Sequence, residues 1–139
     1  MIWTEWDPLK EIIVGKVYDP ADIAHIEDVE FRNGLQRIFE ESEEDFCKLT
    51  ELFESYGVQV HRPRCEYKGD FRYPAVCPRD MHVVYGEQVV GTIGGDPNRF
   101  YEREHYNDII FGLNRKYSAM PTPTLGSFYQ PYVAHEGTP

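Results

Sequence analysis

The chain has 139 residues, of which 41% are hydrophobic and 14% aromatic. This length supports one domain with a real hydrophobic core, and this composition is ordinary for a folded protein, so disorder of the whole chain is excluded. With 24 acidic against 14 basic residues, the formal net charge is −10. Because such a chain repels a phosphate backbone, nucleic acid is not an expected partner.

The cysteines and histidines show no spacing typical of a metal site or a disulfide framework. The three cysteines, Cys47, Cys65 and Cys77, are widely spaced and form no CxxC pair. Each is expected to be a small packed residue in a reducing compartment. The N-terminus lacks a signal-peptide pattern and no apolar run reaches the length of a membrane span, so a cytoplasmic protein without membrane contact is expected. No cofactor and no metal are predicted.

The first half of the chain follows a strand–helix–strand pattern. A β-branched run over residues 11–17 predicts a buried strand, and residues 18–33, which lack a period, predict an irregular connection. Apolar residues at helical spacing predict a helix over 35–56 that ends before Gly57 and is followed by a strand at 58–61. The buried stripe of this helix is predicted to comprise Leu35, Phe39, Phe46, Leu49, Phe53 and Tyr56.

The second half is predicted to contain a hairpin and a helix. Residues 64–74 indicate a loop, and a Gly-Glu pair between two apolar runs predicts a β-hairpin over 80–90. Residues 98–117 predict a second helix, and four prolines beyond Met120 predict an irregular tail. The predicted fold class is therefore α/β, with about two strand–helix modules and short mixed sheets.

Four segments of the sequence together resemble one protein family. They are EWDPLKEIIVG at 5–15, GVQVHRP at 57–63, Pro-Arg-Asp at 78–80, and RFYEREHY at 99–106 running on to PTPT at 121–124. In this order and at these distances they resemble the glycine amidinotransferase-like (arginine:glycine amidinotransferase) family of the pentein superfamily. The resemblance runs from residue 3 to about residue 125, and it covers only the N-terminal part of a family member.

The resemblance implies an incomplete pentein-like α/β propeller and a specific chemistry. Residues 1–120 would form one N-terminal domain, and residues 121–139 a Pro-rich irregular tail or the start of a missing module. Enzymes of this family move an amidino group from L-arginine to glycine or another amine. A cysteine attacks the guanidinium carbon to form a covalent amidino-cysteine, a histidine performs acid–base work, and carboxylates hold the planar cation.

Two residues of the Pro-Arg-Asp segment match positions of the family near the substrate. Asp80 matches a carboxylate that contacts the substrate, and Arg79 is expected to support the loop around it. The catalytic aspartate, histidine and cysteine of the family lie in later segments, so the resemblance assigns no catalytic residue to this chain. The expected partners are arginine or another guanidine, and a C-terminal partner chain or further copies in a homo-oligomer. The chain is expected to be inactive alone, whether it is a natural short protein, a split-gene product or a fragment.

Other interpretations stay open. Asp80 could instead cap backbone amides of a turn. Cys77, Asp80 and His82 are close enough in sequence to suggest a nucleophilic site, although a lone cysteine more often packs as an apolar residue. The chain could be a non-catalytic module that binds a guanidine or a protein through an open sheet edge. It could also come from a hydrolase of arginine or methylated arginine in the same superfamily.

Overall fold

The computed structural model describes residues 3–4, 6–67, 73–93, 96, 99–113 and 115–121. These residues form a two-stranded parallel sheet and a three-stranded mixed sheet, and in each sheet a helix lies in the connection between two parallel strands. Two 3-10 helices span Pro20–Ile23 and Glu102–Tyr106. In chain order the remaining elements are β1 (Glu11–Ile13), α1 (Val29–Ser55), β2 (Gln59–His61), α2 (Pro78–Met81), β3 (His82–Tyr85), β4 (Gln88–Gly91), α3 (Asn107–Gly112) and β5 (Lys116–Ala119). The arrangement is α/β, as the sequence predicts.

The first unit, β1-α1-β2, has a shorter strand and a longer helix than the sequence predicts. Only three residues of β1 pair with β2, and beyond them the amide of Lys16 donates to the carbonyl of Ala75 at 2.8 Å. A Cβ on Gly15 would come within 2.6 Å of the Val76 carbonyl oxygen, so the chain needs glycine where it passes this loop. α1 begins at Val29 because the Asp28 side chain caps it, accepting from the amide of Phe31 at 3.0 Å.

The predicted buried stripe of α1 is correct in its first turns and wrong towards its end. Phe39 is buried, and Leu35 and Phe46 pack against the same core. Leu49 and Tyr56 are exposed, the latter by 79%. A helix of 27 residues is about 40 Å long, whereas strands of three residues span only about 10 Å, so this sheet cannot cover the whole helix. The stop at Gly57 is confirmed, because Gly57 adopts a φ of +74°.

The second unit, β3-β4-α3-β5, contains the predicted hairpin. β3 and β4 are antiparallel with Tyr85 opposite Gln88, and the turn places Gly86 at a φ of +57° beneath the ring of Trp3. The start of the hairpin differs from the prediction, since Asp80 lies in the helical turn α2 and the strand begins two residues later. Pro78 opens that turn, where a missing backbone N–H has no cost.

The predicted helix over 98–117 is wrong at its C-terminal end. Its helical part is a 3-10 turn followed by α3, which ends at Gly112, and residues Lys116–Ala119 form strand β5. β5 pairs in parallel with β4, with Gln88 opposite Lys116. The edge of β4 offers backbone hydrogen bonds that a periodicity count within one segment does not reveal.

Two apolar clusters form the core, one in each unit. The first comprises Val17, Tyr18, Ile23 and Phe39, and the second comprises Ala75, Met81, Val89, Tyr106 and Ile110. Cys65 packs against both clusters, and burial raises the pKa of its thiol to about 12. It is therefore a packed, unreactive residue, as predicted, whereas Cys47 is exposed on α1.

None of the helices in the described part of the chain is long and apolar enough to cross a membrane. The predicted tail falls on residues 122–139, which lie outside the described ranges. The middle of the predicted loop at 64–74 also lies outside them.

Candidate functional site

Asp80, the carboxylate singled out by the sequence, lies on the surface at the end of α2. Its side chain is 38% exposed. Oδ2 accepts a hydrogen bond from Nη1 of Arg99 at 3.1 Å, and Oδ1 lies 3.5 Å from Nε of Arg79. Within the described residues these contacts are with guanidinium groups and not with backbone amides. The Asp80 carboxylate therefore already performs the kind of pairing that a guanidine ligand would require.

Arg99 joins Asp80 to a second, buried carboxylate. Nε of Arg99 donates to Oε2 of Glu102 at 2.7 Å, and the Glu102 side chain is fully buried. Oε1 of Glu102 accepts from the backbone amide of Cys77 at 3.3 Å. The guanidinium of Arg99 also lies over the ring of Tyr73, at 5.9 Å from the centroid. These contacts form a chain of alternating charge, Glu102–Arg99–Asp80, which we call the acidic relay.

The acidic relay holds two carboxylates and one guanidinium. The hydrogen bond with Glu102 raises the pKa of Arg99, despite an opposing effect of burial and with a further contribution from Asp80, so the guanidinium stays charged. Burial raises the pKa of Glu102 above its usual range, and the contact with Arg99 opposes that rise. The charge of Glu102 thus depends on Arg99, and Asp80 shares Arg99 with Glu102 and has the exposed Arg79 as a second cation at 3.5 Å.

Sequence reasoning missed the role of Arg99 and Glu102. Both belong to the RFYE segment, which predicts a helix and carries part of the family resemblance, with no site role for either residue. The usable signal was the spacing of three residues between an arginine and a glutamate, which suits a local ion pair. Their link to Asp80 spans 19 residues and became visible only in the folded chain.

Arg79, the predicted supporting residue, points away from the protein. Its side chain is 94% exposed, and its Nε lies 3.5 Å from Oδ1 of Asp80. A long exposed side chain of this kind gains little from one surface ion pair. Arg79 is therefore an exposed neighbour of Asp80 that makes a weak ion pair with it.

Cys77, Asp80 and His82 do not form a hydrogen-bonded set. Burial, with a further effect of Asp80, raises the pKa of the Cys77 thiol, which disfavours a thiolate nucleophile. Neither ring nitrogen of His82 has a hydrogen-bond partner among the described residues. Burial, together with the charge of Arg103, lowers the pKa of His82 to about 4. His82 is a neutral core residue whose ring packs against Tyr106 with centroids 5.2 Å apart.

Two surface cavities of about 290 and 460 Å³ lie between the end of β2 and the region of α3. Both are lined by Arg64 and Asp108, and Asp80 lines neither. Among the described residues there is no cluster of three or more His, Cys, Asp or Glu that could hold a metal ion. The candidate site is thus an exposed carboxylate paired with Arg99, and it lies outside both cavities.

Known proteins similar to this chain are amidinotransferases. No protein-family model matches the chain. The inosamine-phosphate amidinotransferase 1 of Streptomyces glaucescens is 27% identical over an alignment 159 residues long. The alignment covers 94% of this chain and 45% of that protein. The mitochondrial glycine amidinotransferase of Gallus gallus is 26% identical, over 88% of this chain and 36% of that protein. The chain therefore spans less than half the length of these relatives.

Solved structures give the same result for the fold. The inosamine-phosphate amidinotransferase of Streptomyces griseus superposes with a TM-score of 0.64 and 26% identity, over 89% of this chain and 43% of that one. SxtG, an amidinotransferase of the saxitoxin biosynthetic pathway from Microseira wollei, has the same TM-score at 21% identity and shares the fold. The resemblance inferred from four sequence segments is confirmed: about 90% of the chain is homologous to amidinotransferases, and it fits an N-terminal part of these longer proteins.

Proposed function

We propose that this chain is the N-terminal portion of an amidinotransferase-like protein and that Asp80 binds the guanidinium group of its substrate. The activity would be transfer of an amidino group from L-arginine to glycine or another amine through a covalent amidino-cysteine. The similar proteins support this reaction class. The observation that carries the role of Asp80 is its pairing with Arg99, at 3.1 Å through Oδ2, while Oδ1 lies 3.5 Å from the exposed Arg79 in a side chain that is 38% exposed.

The geometry suits a guanidinium ligand. A guanidinium is a planar fork of N–H donors, and a carboxylate with a free oxygen is its natural acceptor. Arg79, the side chain nearest that oxygen, is exposed enough to move aside. The unbalanced negative charge of the acidic relay then favours a cation over a neutral molecule of the same shape.

In the proposed reaction the chain orients the substrate and leaves bond-making to other residues. Resonance makes the guanidinium carbon a poor electrophile, so holding its nitrogens in place is a requirement for thiolate attack. We propose that the histidine and cysteine of the reaction come from further modules of the propeller, on another segment or a partner chain. An exposed ion pair contributes only about 0.2–1 kcal/mol, so the chain alone is expected to bind arginine weakly and to release no ornithine.

The proposal is tested by titrating the 139-residue chain with L-arginine and following chemical shifts by NMR. Asp80→Asn should weaken binding, so that the shifts around α2 saturate at a higher arginine concentration, because a charged acceptor is replaced by a neutral amide. In an enzyme completed by the missing modules the loss should amount to about 1.5–3 kcal/mol. The matched control is Asp45→Asn, on the exposed face of α1.

Two results would contradict the proposal. Equal arginine binding by the Asp80→Asn variant would make Asp80 a structural residue only. Ornithine release by the wild-type chain alone would show that its nucleophile lies within these 139 residues. The expected result is that turnover requires mixing with the C-terminal part of a relative.

A second candidate, a non-catalytic module that assembles with a protein partner, is favoured by one surface. β3 lies at an edge of the three-stranded sheet, and Val83, Val84 and Tyr85 are all at least half exposed. An exposed apolar edge strand pairs readily with another strand. Sedimentation analysis over a range of concentrations tests this candidate, and a monomer at all concentrations would count against self-association.

A further inference from the structure

We infer that Glu102 is a positioning residue that presents Asp80 to a guanidine ligand through the acidic relay. The inference rests on the proposed function, because it specifies how the same carboxylate is held. Glu102 itself is fully buried, so it does not touch a ligand.

Side-chain contacts with Arg99 connect Glu102 to Asp80. Arg99 donates through Nε to Glu102 at 2.7 Å and through Nη1 to Asp80 at 3.1 Å. Because the guanidinium group is planar and rigid, fixing its Nε edge also fixes the direction of Nη1. Glu102 thus determines where Oδ2 of Asp80 is held and which oxygen remains for a ligand.

The carboxylate of Glu102 also makes a backbone contact. Oε1 of Glu102 accepts from the amide of Cys77, the residue that precedes α2. Glu102 therefore holds both the main chain at the start of this turn and, through Arg99, the side chain at its third position. One buried carboxylate whose two oxygens contact the residue before this turn and the arginine that pairs with Asp80 is the arrangement expected of a support for a binding residue.

The charge of Glu102 has a separate consequence for Asp80. With Glu102 ionised, Arg99 is shared between two carboxylates and only partly neutralises Asp80. When residue 102 is neutral, the whole guanidinium charge of Arg99 falls to Asp80 and competes with an incoming guanidinium. A change that keeps the shape of Glu102 but removes its charge should therefore weaken ligand binding at a residue that it does not touch.

The experiment compares L-arginine dissociation constants of the 139-residue chain and its variants by NMR titration. Glu102→Gln keeps the size of the side chain and removes its charge, but its single amide oxygen can keep only one of the two acceptor contacts, to Arg99 or to the Cys77 amide. It should raise the dissociation constant about two- to fivefold, within what an exposed carboxylate contact contributes, and Glu102→Asp, which keeps the charge, should recover part of the affinity. Combining Glu102→Gln with Asp80→Asn should add nothing to the loss seen with Asp80→Asn alone. The control is Glu41→Gln, which removes an exposed pair with Arg37 of the same 2.7 Å Nε–O distance.

The outcomes separate the inference from the function on which it rests. If Asp80→Asn weakens arginine binding and Glu102→Gln does not, the positioning role is overturned and the binding role of Asp80 stands. Additive losses in the double variant would likewise overturn it, because a purely structural Glu102 acts independently of the Asp80 charge. If Asp80→Asn binds arginine normally, the proposed function itself fails. Should Glu102→Gln not fold, Arg99→Lys provides the same test, because it keeps the cation and loses the two-sided fork.

Discussion

Each of the two units of the chain contains a half-buried arginine that pairs with a glutamate. The two ion-pair clusters built on these arginines differ in charge balance. In the first unit, Arg62 and Lys16 both contact Glu43, at 2.9 and 2.7 Å, so two cations share one anion. In the second unit the acidic relay has one cation shared by two anions. Glu43 in the first cluster is thus shared by two cations, whereas Asp80 in the second has the shared Arg99 and the exposed Arg79 as its charged neighbours.

The clusters also differ in what they connect. Arg62 follows β2 and donates through Nε to the carbonyl of Gly15 at 2.9 Å while it holds Glu43 on α1. That cluster ties the helix to the strands of its own unit. The acidic relay instead ends at the surface, on a carboxylate that lies on a short turn. The first cluster is closed within its own unit, as is typical of a structural tie, and the second ends in an exposed carboxylate, which suits the binding role proposed for Asp80.

The largest expected effect is a loss of stability when the buried carboxylate of the acidic relay is removed altogether. Glu102→Ala leaves the Arg99 guanidinium without its buried partner and the Cys77 amide without an acceptor. Since Arg99 remains partly accessible to water, we expect a loss of about 2–3 kcal/mol in the free energy of unfolding. Urea denaturation measures it, and a loss no larger than that of Glu41→Ala would show that the relay does not stabilise the fold.

The second effect is a dependence of stability on pH that arises in the core of the second unit. The pKa of His82 is about 4 in the folded chain and 6.5 when unperturbed, so between these values the unfolded state binds a proton that the native state excludes. Its contribution is fully present above about pH 6.5 and is lost as pH falls towards 4, by about 3 kcal/mol. Thermal unfolding between pH 7 and pH 4 should show a shallower decline for His82→Leu, and identical slopes would contradict the assignment.

The smallest effect is expected in the first cluster. Partial burial acts to raise the pKa of Glu43, but Lys16 and Arg62 lower it more, so its contribution to stability is present above the normal pKa of 4.5 and is lost as pH falls below it. Glu43→Gln should cost about 1 kcal/mol of unfolding free energy, since all three side chains are partly solvated. Arginine affinity should stay unchanged, and a loss of affinity would remove the contrast between the two clusters.

Much of the fold was predictable because its signals are local. The helix, its stop at Gly57 and the hairpin turn at Gly86 follow from residues that are near one another in sequence. The strand Lys116–Ala119 was not predictable, because it forms only when the edge of β4 offers it hydrogen bonds. The exposure of Leu49 and Tyr56 was also missed, since it depends on how short the neighbouring strands are.

For the candidate site, the sequence by itself determined the family resemblance and the identity of Asp80. Both depend on which residue types occur close together in the sequence, and this can be read without knowing the fold. Only the tertiary structure decided that Asp80 lies on a helical turn, that Arg99 reaches it across 19 residues, and that Arg99 also pairs with a fully buried Glu102. Burial and long-range pairing are properties of the packed chain, and the strength of a charge contact depends on both.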